Sequence, residues 1–264
     1  NTYFAGRIAD VKIYNKILSP TEINNYYLST KDRFFTDRED IRDGLILDLD
    51  ANNYDSYPGG NTWFDTSGSG TTAYMNTAIP YVRDRINNSF LLNGTVSNYF
   101  AMGAVPNLDG YQLPVTYFGW FKLTSIVNFQ CLFGIYNTTS IIYNMLRIDQ
   151  NGFRFFLSLN QAPEYQYFEH STAVTTGIWY NFAIVVGGTL SSPSLTIYIN
   201  NKSQTYSPLA MKNTVTLNQI QCIGQNNSNQ PFNGNISQYR IYNRTLSASE
   251  VNTLFQNTRS RYGI

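Results

Sequence analysis

Two pairs of carboxylates and a single histidine are the groups in this sequence that could do acid–base chemistry. Asp48 and Asp50 alternate within a strand-like run, and Glu164 and Glu169 lie five residues apart in a tyrosine-rich stretch. Retaining glycoside hydrolysis needs an acid and a nucleophile about 5–5.5 Å apart, as carboxylates on alternate positions of one strand with a third acid would provide. Neither pair has that third acid, and no nucleophile is indicated beside His170. We therefore expect the protein not to be an enzyme.

Aromatic side chains are the groups that could hold a sugar by stacking. The sequence is 16% aromatic and rich in asparagine, so ring faces with polar neighbours are common. Each ring could instead pack in the core, which is the commoner role of large apolar side chains. The candidates for carbohydrate binding are Tyr54, Tyr57 and Trp63, and further rings that could stack are Tyr136, Tyr143, Tyr165 and Tyr167.

The overall composition bounds the class of the protein. Its 264 residues are 42% hydrophobic and carry a net charge of +1, so the chain can bury a core and lacks the basic footprint of a nucleic-acid binder. No apolar run is long enough to span a membrane. Cys131 and Cys222 lie in strand-like runs, where we expect buried thiols. A disulfide would require those two strands to be neighbours.

The start of the chain is repeated near its end. Each copy predicts a strand followed by a short helix, because a Ser-x-x-Glu capping box precedes apolar residues at i, i+3 and i+4. The repeat interval is the length of a domain. We predict that residues 1–33 close a preceding domain, that 34–43 form a charged, solvated linker, and that 44–264 form a complete domain. At a constant offset of 228 residues, Phe4–Ile8, Ile13–Asn15 and Leu18–Glu22 recur as Phe232–Ile236, Ile241–Asn243 and Leu246–Glu250.

Most of the sequence after residue 43 predicts short strands, separated by clusters of Gly, Asn or Pro. Within Val115–Leu123, Tyr117 and Phe121 point to one face. Phe118 and Trp120 point to the other face, so this segment is typical of a central strand covered on both sides. Many short strands with one closing helix predict an all-β, two-sheet antiparallel sandwich.

Six segments carry motifs of a known family: Gly44–Ala51, Trp63–Gly70, Phe118–Lys122, Trp179–Val185, Leu195–Asn201 and Phe232–Glu250. Their composition and order resemble laminin-G-like domains of the concanavalin A-like lectin/glucanase superfamily. The resemblance implies a jelly-roll sandwich that ends in a short C-terminal helix. It also implies that this sandwich is preceded by the closing strand and helix of an upstream copy.

The style of the opening motif, and of the tail Arg261–Ile264, is similar to versions of this domain in virion structural proteins of large-genome phages and giant DNA viruses. This implies a non-enzymatic structural or decoration module on the virion surface, capsid- or tail-associated. Its expected partners are other virion proteins, neighbouring copies of the domain and host surface glycans, but not nucleic acid. The alternative is a secreted or cell-surface, calcium-dependent carbohydrate-binding adhesion protein, which would be extracellular.

The resemblance makes calcium a candidate ligand, because many relatives bind it at the rim of the sandwich through Asp, Asn and backbone carbonyl oxygens. The weak candidate ligands are Asp48 and Asp65, or Asp149 with Asn151. The alternative is that the runs beginning at Asp65 and Asp149 are ordinary Asx turns. A zinc site is not expected, because it would need several His or Cys ligands.

Overall fold

The computed structural model describes residues 10–30, 40–84, 87–103, 105, 113–126, 129–137, 142–158, 165–211, 219–226 and 230–264. The chain divides into two compact units, Asn1–Arg38 and Glu39–Ile264. Neither α-helix in these segments has the length and apolar character needed to cross a membrane.

The first unit contains helix α1, Pro20–Thr30, which confirms the predicted helix. Ser19 N donates to Glu22 Oε2 at 2.8 Å, and Glu22 N donates to Ser19 Oγ at 3.2 Å. Pro20 occupies the first helical position, where its missing N–H costs no hydrogen bond. Residues 10–14, the described part of the predicted strand, are not in a strand. A β-strand forms only when its backbone N–H and C=O groups pair with a neighbouring strand. The alternation of apolar and polar residues in this segment is therefore not sufficient by itself to make it a strand.

The second unit is built from β-strands and closes with a helix. Its described elements are β1 Leu45–Asp50, β2 Thr62–Phe64, β3 Thr72–Met75, β4 Tyr81–Val82, β5 Ser89–Asn93, β6 Phe100–Met102, β7 Val115–Leu123, β8 Gln130–Asn137, β9 Ile142–Asp149, β10 Gly152–Ser158, β11 Tyr165–His170, β12 Trp179–Thr189, β13 Ser192–Ile199, β14 Lys202–Tyr206, β15 Gln219–Ile223, β16 Asn233–Tyr242, α2 Ala248–Thr258 and a 3-10 helix Arg259–Tyr262.

These strands form two antiparallel sheets, which confirms the predicted two-sheet sandwich. Sheet A has the order β14-β13-β12-β7-β16-β5-β4, with β1 also paired to β16. Sheet B has the order β11-β10-β9-β8-β15-β6-β3-β2. Along β16, residues 233–236 pair with β5 and residues 238–242 pair with β1. This arrangement places Asp48 opposite Arg240 and Asp50 opposite Gln238.

Strand β7 lies in the middle of sheet A and is buried on both faces, as predicted. Tyr117 and Phe121 belong to the core between the sheets. Phe118 and Trp120 belong to a second apolar cluster on the outer face of sheet A. Gly119 leaves room for this packing, because a Cβ there would lie 2.4 Å from the carbonyl oxygen of Gln238.

Helix α2 covers the outer face of sheet A. Its Ser247–Glu250 capping box is formed, and Val251, Leu254 and Phe255 are buried. The Trp120 ring stacks on the Tyr262 ring with centroids 3.9 Å apart. An isolated helix this short is marginal in water, so this docked apolar stripe is what stabilises it.

The end of the charged run contacts the sandwich. Arg240 Nη1 donates to Asp40 Oδ1 at 2.6 Å, and Arg42 Nη2 donates to the carbonyl oxygen of Thr66 at 2.7 Å. These contacts differ from the solvated linker that we expected over residues 34–43. Residues 31–39, including the rest of that linker, lie outside the described segments, so the predicted domain boundaries stay predictions.

Cys131 and Cys222 are both buried thiols, which confirms the sequence prediction. Their strands β8 and β15 are neighbours, with Cys222 opposite Gly134. Burial raises the pKa of the Cys131 thiol well above its usual range, so this thiol stays protonated and inert near neutral pH.

Candidate ligand-binding face

The three aromatic candidates from the sequence lie in different surroundings. Trp63 is fully buried, with its ring centroid 4.7 Å from that of Phe90 and 5.2 Å from that of Phe100. No face of the Trp63 ring is open to a sugar, which corrects the expectation that it could be a stacking platform. The alternation of β2 turns this side chain into the core. Tyr57 is half-buried, and Tyr54 is exposed in the turn after β1.

Asp48 and Asp50 are buried carboxylates, and each forms an ion pair with an arginine. Arg240 Nε donates to Asp48 Oδ1 at 2.8 Å, and Arg261 Nη1 donates to Asp50 Oδ2 at 2.9 Å. Burial raises the pKa of the Asp48 carboxyl, and the charge of Arg240 opposes that rise. Truncating one partner would leave an uncompensated buried charge. These carboxylates therefore join β1 to β16 and to the C-terminal end of the chain.

The other calcium candidates lie in Asx turns. Asp65 Oδ1 accepts hydrogen bonds from Ser67 N at 2.8 Å and from Asp48 N at 2.7 Å. Asp149 Oδ1 accepts one from Asn151 N at 2.8 Å. Within the described segments, no three His, Cys, Asp or Glu side chains come together as a metal site would require. Both turns thus have the geometry of the alternative interpretation, in which Asp65 and Asp149 are Asx-turn residues.

His170, the single histidine, is buried where β11 meets the start of β14. Its Nε2 lies 2.8 Å from the carbonyl oxygen of Lys202, and Thr172 N donates to Nδ1 at 3.2 Å. Burial lowers the pKa of the imidazole. These hydrogen bonds give His170 a structural role, and Glu164 lies outside the described segments.

The outer face of sheet B brings together exposed aromatic rings and two arginines. In β10, Phe153, Phe155 and Leu157 face the core, so Arg154 and Phe156 face outward. The neighbouring strands alternate in the same way: Arg147 of β9 lies opposite Arg154, and Tyr167 of β11 lies opposite Phe156. We name this surface the aromatic–arginine face, which consists of Phe129, Arg147, Arg154, Phe156, Tyr165 and Tyr167.

Arg147 is held by two rings of this face. Its guanidinium carbon lies 4.4 Å from the Phe129 ring centroid and 4.5 Å from the Phe156 ring centroid. Burial lowers the pKa of Arg147, and the charge of Asp149 opposes this. Its Nε is buried and meets no acceptor among the described residues. Phe129 has φ 63°, a conformation that is rare for a bulky residue and that costs about 1–3 kcal/mol when the surroundings impose it.

Arg154 connects the two carboxylates of this region. Its Nη1 lies 3.1 Å from Asp149 Oδ2, and its Nε donates to Glu169 Oε1. Its guanidinium carbon lies 5.2 Å from the Tyr167 ring centroid. Because both carboxylates bind the same guanidinium, they are positioned as ion-pair partners and not as a free acid beside a nucleophile.

The exposed rings of Tyr165 and Tyr167 give the face its open surface. Their exposed fractions are 47% and 52%, and each ring centroid lies 5.6 Å from that of the buried Phe156. On the side of β8, Asn226 covers the sheet. Its Nδ2 lies 3.1 Å from Met145 Sδ in β9, and Phe129, which precedes β8, is a third exposed ring of the face at 46%.

This arrangement offers apolar ring faces beside fixed hydrogen-bonding groups, which is the composition of a small-ligand site. Sequence reasoning named Tyr165 and Tyr167 but missed Phe129, Arg147, Arg154 and Phe156. The period-two alternation of Phe153–Ser158 could have placed Arg154 and Phe156 on one face of β10. Phe129 precedes β8, and no alternation could have placed it. The side chains of Tyr136 and Tyr143 lie outside the described segments.

A family model described as Laminin_G_3, concanavalin A-like lectin/glucanases superfamily, matches residues 93–252. The matched range includes the whole aromatic–arginine face. No curated protein sequence matches the chain.

Solved structures with a similar fold include binding domains of toxins. The binding domain of Paraclostridial Mosquitocidal Protein 1 aligns with a TM-score of 0.64 at 17% identity. The aligned region covers 82% of this chain and 52% of the chain of that structure. The receptor binding domain of botulinum neurotoxin D has a TM-score of 0.60 at 18% identity, covering 82% and 53%. The binding domain of botulinum neurotoxin DC in complex with rat synaptotagmin II has a TM-score of 0.63 at 16% identity, covering 83% and 52%. The chain spans about half the length of these structures, and identity at this level shows the fold alone.

Proposed function

Because the chain belongs to the Laminin_G_3 family of the concanavalin A-like lectin/glucanase superfamily, we propose that it is a non-enzymatic binding module that holds carbohydrate on the aromatic–arginine face. The toxin domains of similar fold are described as a binding domain and a receptor binding domain, which supports a binding role. The similarity to these toxin domains does not identify the ligand. The choice of carbohydrate rests on the chemistry of the aromatic–arginine face.

The observation that carries the proposal is that two half-exposed tyrosine rings share one sheet face with two arginines. Arg154 lies 5.2 Å from the Tyr167 ring centroid, and Arg147 lies opposite Arg154 on the next strand. A tyrosine ring offers a rigid apolar surface on which the C–H face of a sugar can stack. The guanidinium groups are held by rings and by carboxylates, so they lose little entropy when they donate to sugar hydroxyl or carboxylate oxygens. Asp149 and Glu169 balance the two cations, so the face is suited to a ligand with mixed polar groups.

We also propose where this module is located, which is the surface of a virus particle. Placement on the surface of a virus particle rests on the style of the sequence motifs, and the alternative is a secreted or cell-surface adhesion protein that needs calcium. An antibody against this chain should label purified virus particles if the first setting is right. Signal confined to the culture medium or to cell surfaces would favour the second.

The carbohydrate proposal is tested first on a glycan array with the intact chain and then by calorimetry with a glycan that binds. The variant Tyr165→Ala/Tyr167→Ala should weaken binding by about 10-fold or more, which is about 1.4 kcal/mol. Tyr74→Ala is the matched control, because Tyr74 is equally exposed and lies on the same sheet at β3. Tyr54→Ala tests the candidate from the sequence. An array without any binder, or equal affinity of the double variant and the unmodified chain, would show that the proposal is wrong.

A further inference from the structure

The helix of the first unit and its N-terminal cap reproduce the local structure of helix α2, which closes the second unit. At the offset of 228 residues, Ser19 corresponds to Ser247 and Glu22 to Glu250. The two capping-box hydrogen bonds measure 2.8 and 3.2 Å in the first unit and 2.8 and 3.2 Å in the second. The same motif thus starts both helices with the same geometry.

Two further contacts recur at corresponding positions. Lys16 Nζ lies 2.5 Å from the Glu22 carboxylate, and Arg244 Nη2 lies 2.6 Å from that of Glu250. At the other end of each helix, a threonine hydroxyl donates to the carbonyl oxygen four residues earlier. This distance is 2.8 Å for Thr30 and 2.7 Å for Thr258. The segments therefore match from before the cap to the last helical turn.

The two segments differ in burial. Ile23 is 55% exposed, whereas its counterpart Val251 is fully buried. Ile13 is 93% exposed, whereas Ile241 is fully buried. Tyr27 is 49% exposed, whereas its counterpart Phe255 is buried. Single exposed apolar residues are ordinary, but several at positions whose counterparts are core indicate an interaction surface.

The second unit indicates what covers such a stripe. Val251, Leu254 and Phe255 pack on the outer face of a β-sheet. That face is aromatic and aliphatic, and its described members on β7, β12 and β13 are Phe118, Trp120, Ala183, Val185 and Tyr198. In the second unit this face is occupied by α2, which follows its own sandwich along the chain.

We propose that residues 10–30 are the closing segment of another laminin-G-like sandwich, encoded before them in the same polypeptide. The apolar stripe of α1 docks on the outer face of a sheet in that sandwich, as α2 does on sheet A. This would make the protein a tandem array of at least two such domains, and it is independent of the ligand proposed for the aromatic–arginine face.

The test measures whether the α1 segment can replace the α2 segment and still stabilise the second unit. In a graft of the full chain, residues Ile241–Thr258 are replaced by the sequence of Ile13–Thr30. A second variant, Val251→Ile/Leu254→Tyr/Phe255→Tyr, transfers the stripe alone. The control, Val251→Asn/Leu254→Asn/Phe255→Asn, keeps the cap and removes the apolar stripe. Unfolding is followed by urea titration and by the near-ultraviolet circular dichroism of the stacked Trp120.

The graft or the stripe variant should unfold cooperatively and keep the near-ultraviolet signal, with a midpoint well above that of the control. The control should lose most of its stability, because it removes three apolar side chains from the buried cluster on the outer face of sheet A. If both the graft and the stripe variant behave like the control, residues 10–30 do not fit such a sheet and the proposal is overturned.

Discussion

The guanidinium carbon of Arg147 lies 4.5 Å from the centroid of the Phe156 ring, on the outer face of sheet B. Phe156 is buried beneath the exposed rings of Tyr165 and Tyr167. The cation thus sits at the border between the apolar layer and the open surface. Its planar group is fixed before any ligand arrives, which is the condition for binding without a large ordering cost.

Replacing Arg147 by lysine should loosen this face. An ammonium group cannot stack as a plane on Phe129 and Phe156, so we expect Arg147→Lys to lower the free energy of unfolding by about 1 kcal/mol. Urea titration measures this change. Arg83→Lys is the control, because the exposed Arg83 lies 5.7 Å from the Tyr81 ring. An equal effect of both variants would contradict a special role for Arg147.

Trp120 should be a main attachment of α2 to sheet A. Its Nε1 donates to Thr258 Oγ1 at 2.9 Å, and its ring stacks on Tyr262. Trp120→Phe removes the hydrogen bond and part of the stacked area, so it should lower the free energy of unfolding by about 1–3 kcal/mol. Trp179→Phe, at a partly buried ring of the same cluster, should have a smaller effect. Similar losses in the two variants would show that the hydrogen bond to Thr258 contributes little.

His170 should make stability depend on pH. Because burial lowers its folded pKa, the unfolded chain binds a proton first, near the ordinary histidine pKa of about 6.5. The stabilisation is therefore complete above that pH and declines as the pH falls through it toward the folded value. The unfolding free energy, measured between pH 8 and 5, should fall less steeply in His170→Gln. Parallel profiles for the two proteins would contradict this assignment.

Removal of calcium should leave the fold unchanged. The candidate oxygens of Asp48, Asp65 and Asp149 already accept hydrogen bonds from protein groups, so no uncompensated cluster of negative charge remains to be neutralised. We expect the thermal midpoint to be the same in EDTA and in excess calcium. A rise of several degrees on adding calcium, with measurable heat in calorimetry, would establish a site that these turns form only when the ion is bound.

Much of the fold could be derived from local patterns. The capping boxes at Ser19 and Ser247, the aromatic faces of Val115–Leu123 and the all-β sandwich follow from residue type and period alone. Such signals suffice because helix caps and side-chain alternation depend on a few neighbouring residues.

What the sequence by itself determined was therefore the all-β sandwich class, the two capped helices and the two apolar faces of β7. Only the tertiary structure decided which strands meet. It buried Trp63, it paired Asp48 with Arg240 across 192 residues, and it placed Arg147 against Phe129 and Phe156. These outcomes depend on long-range strand order and on which sheet face α2 covers, and neither is a property of any short stretch of sequence.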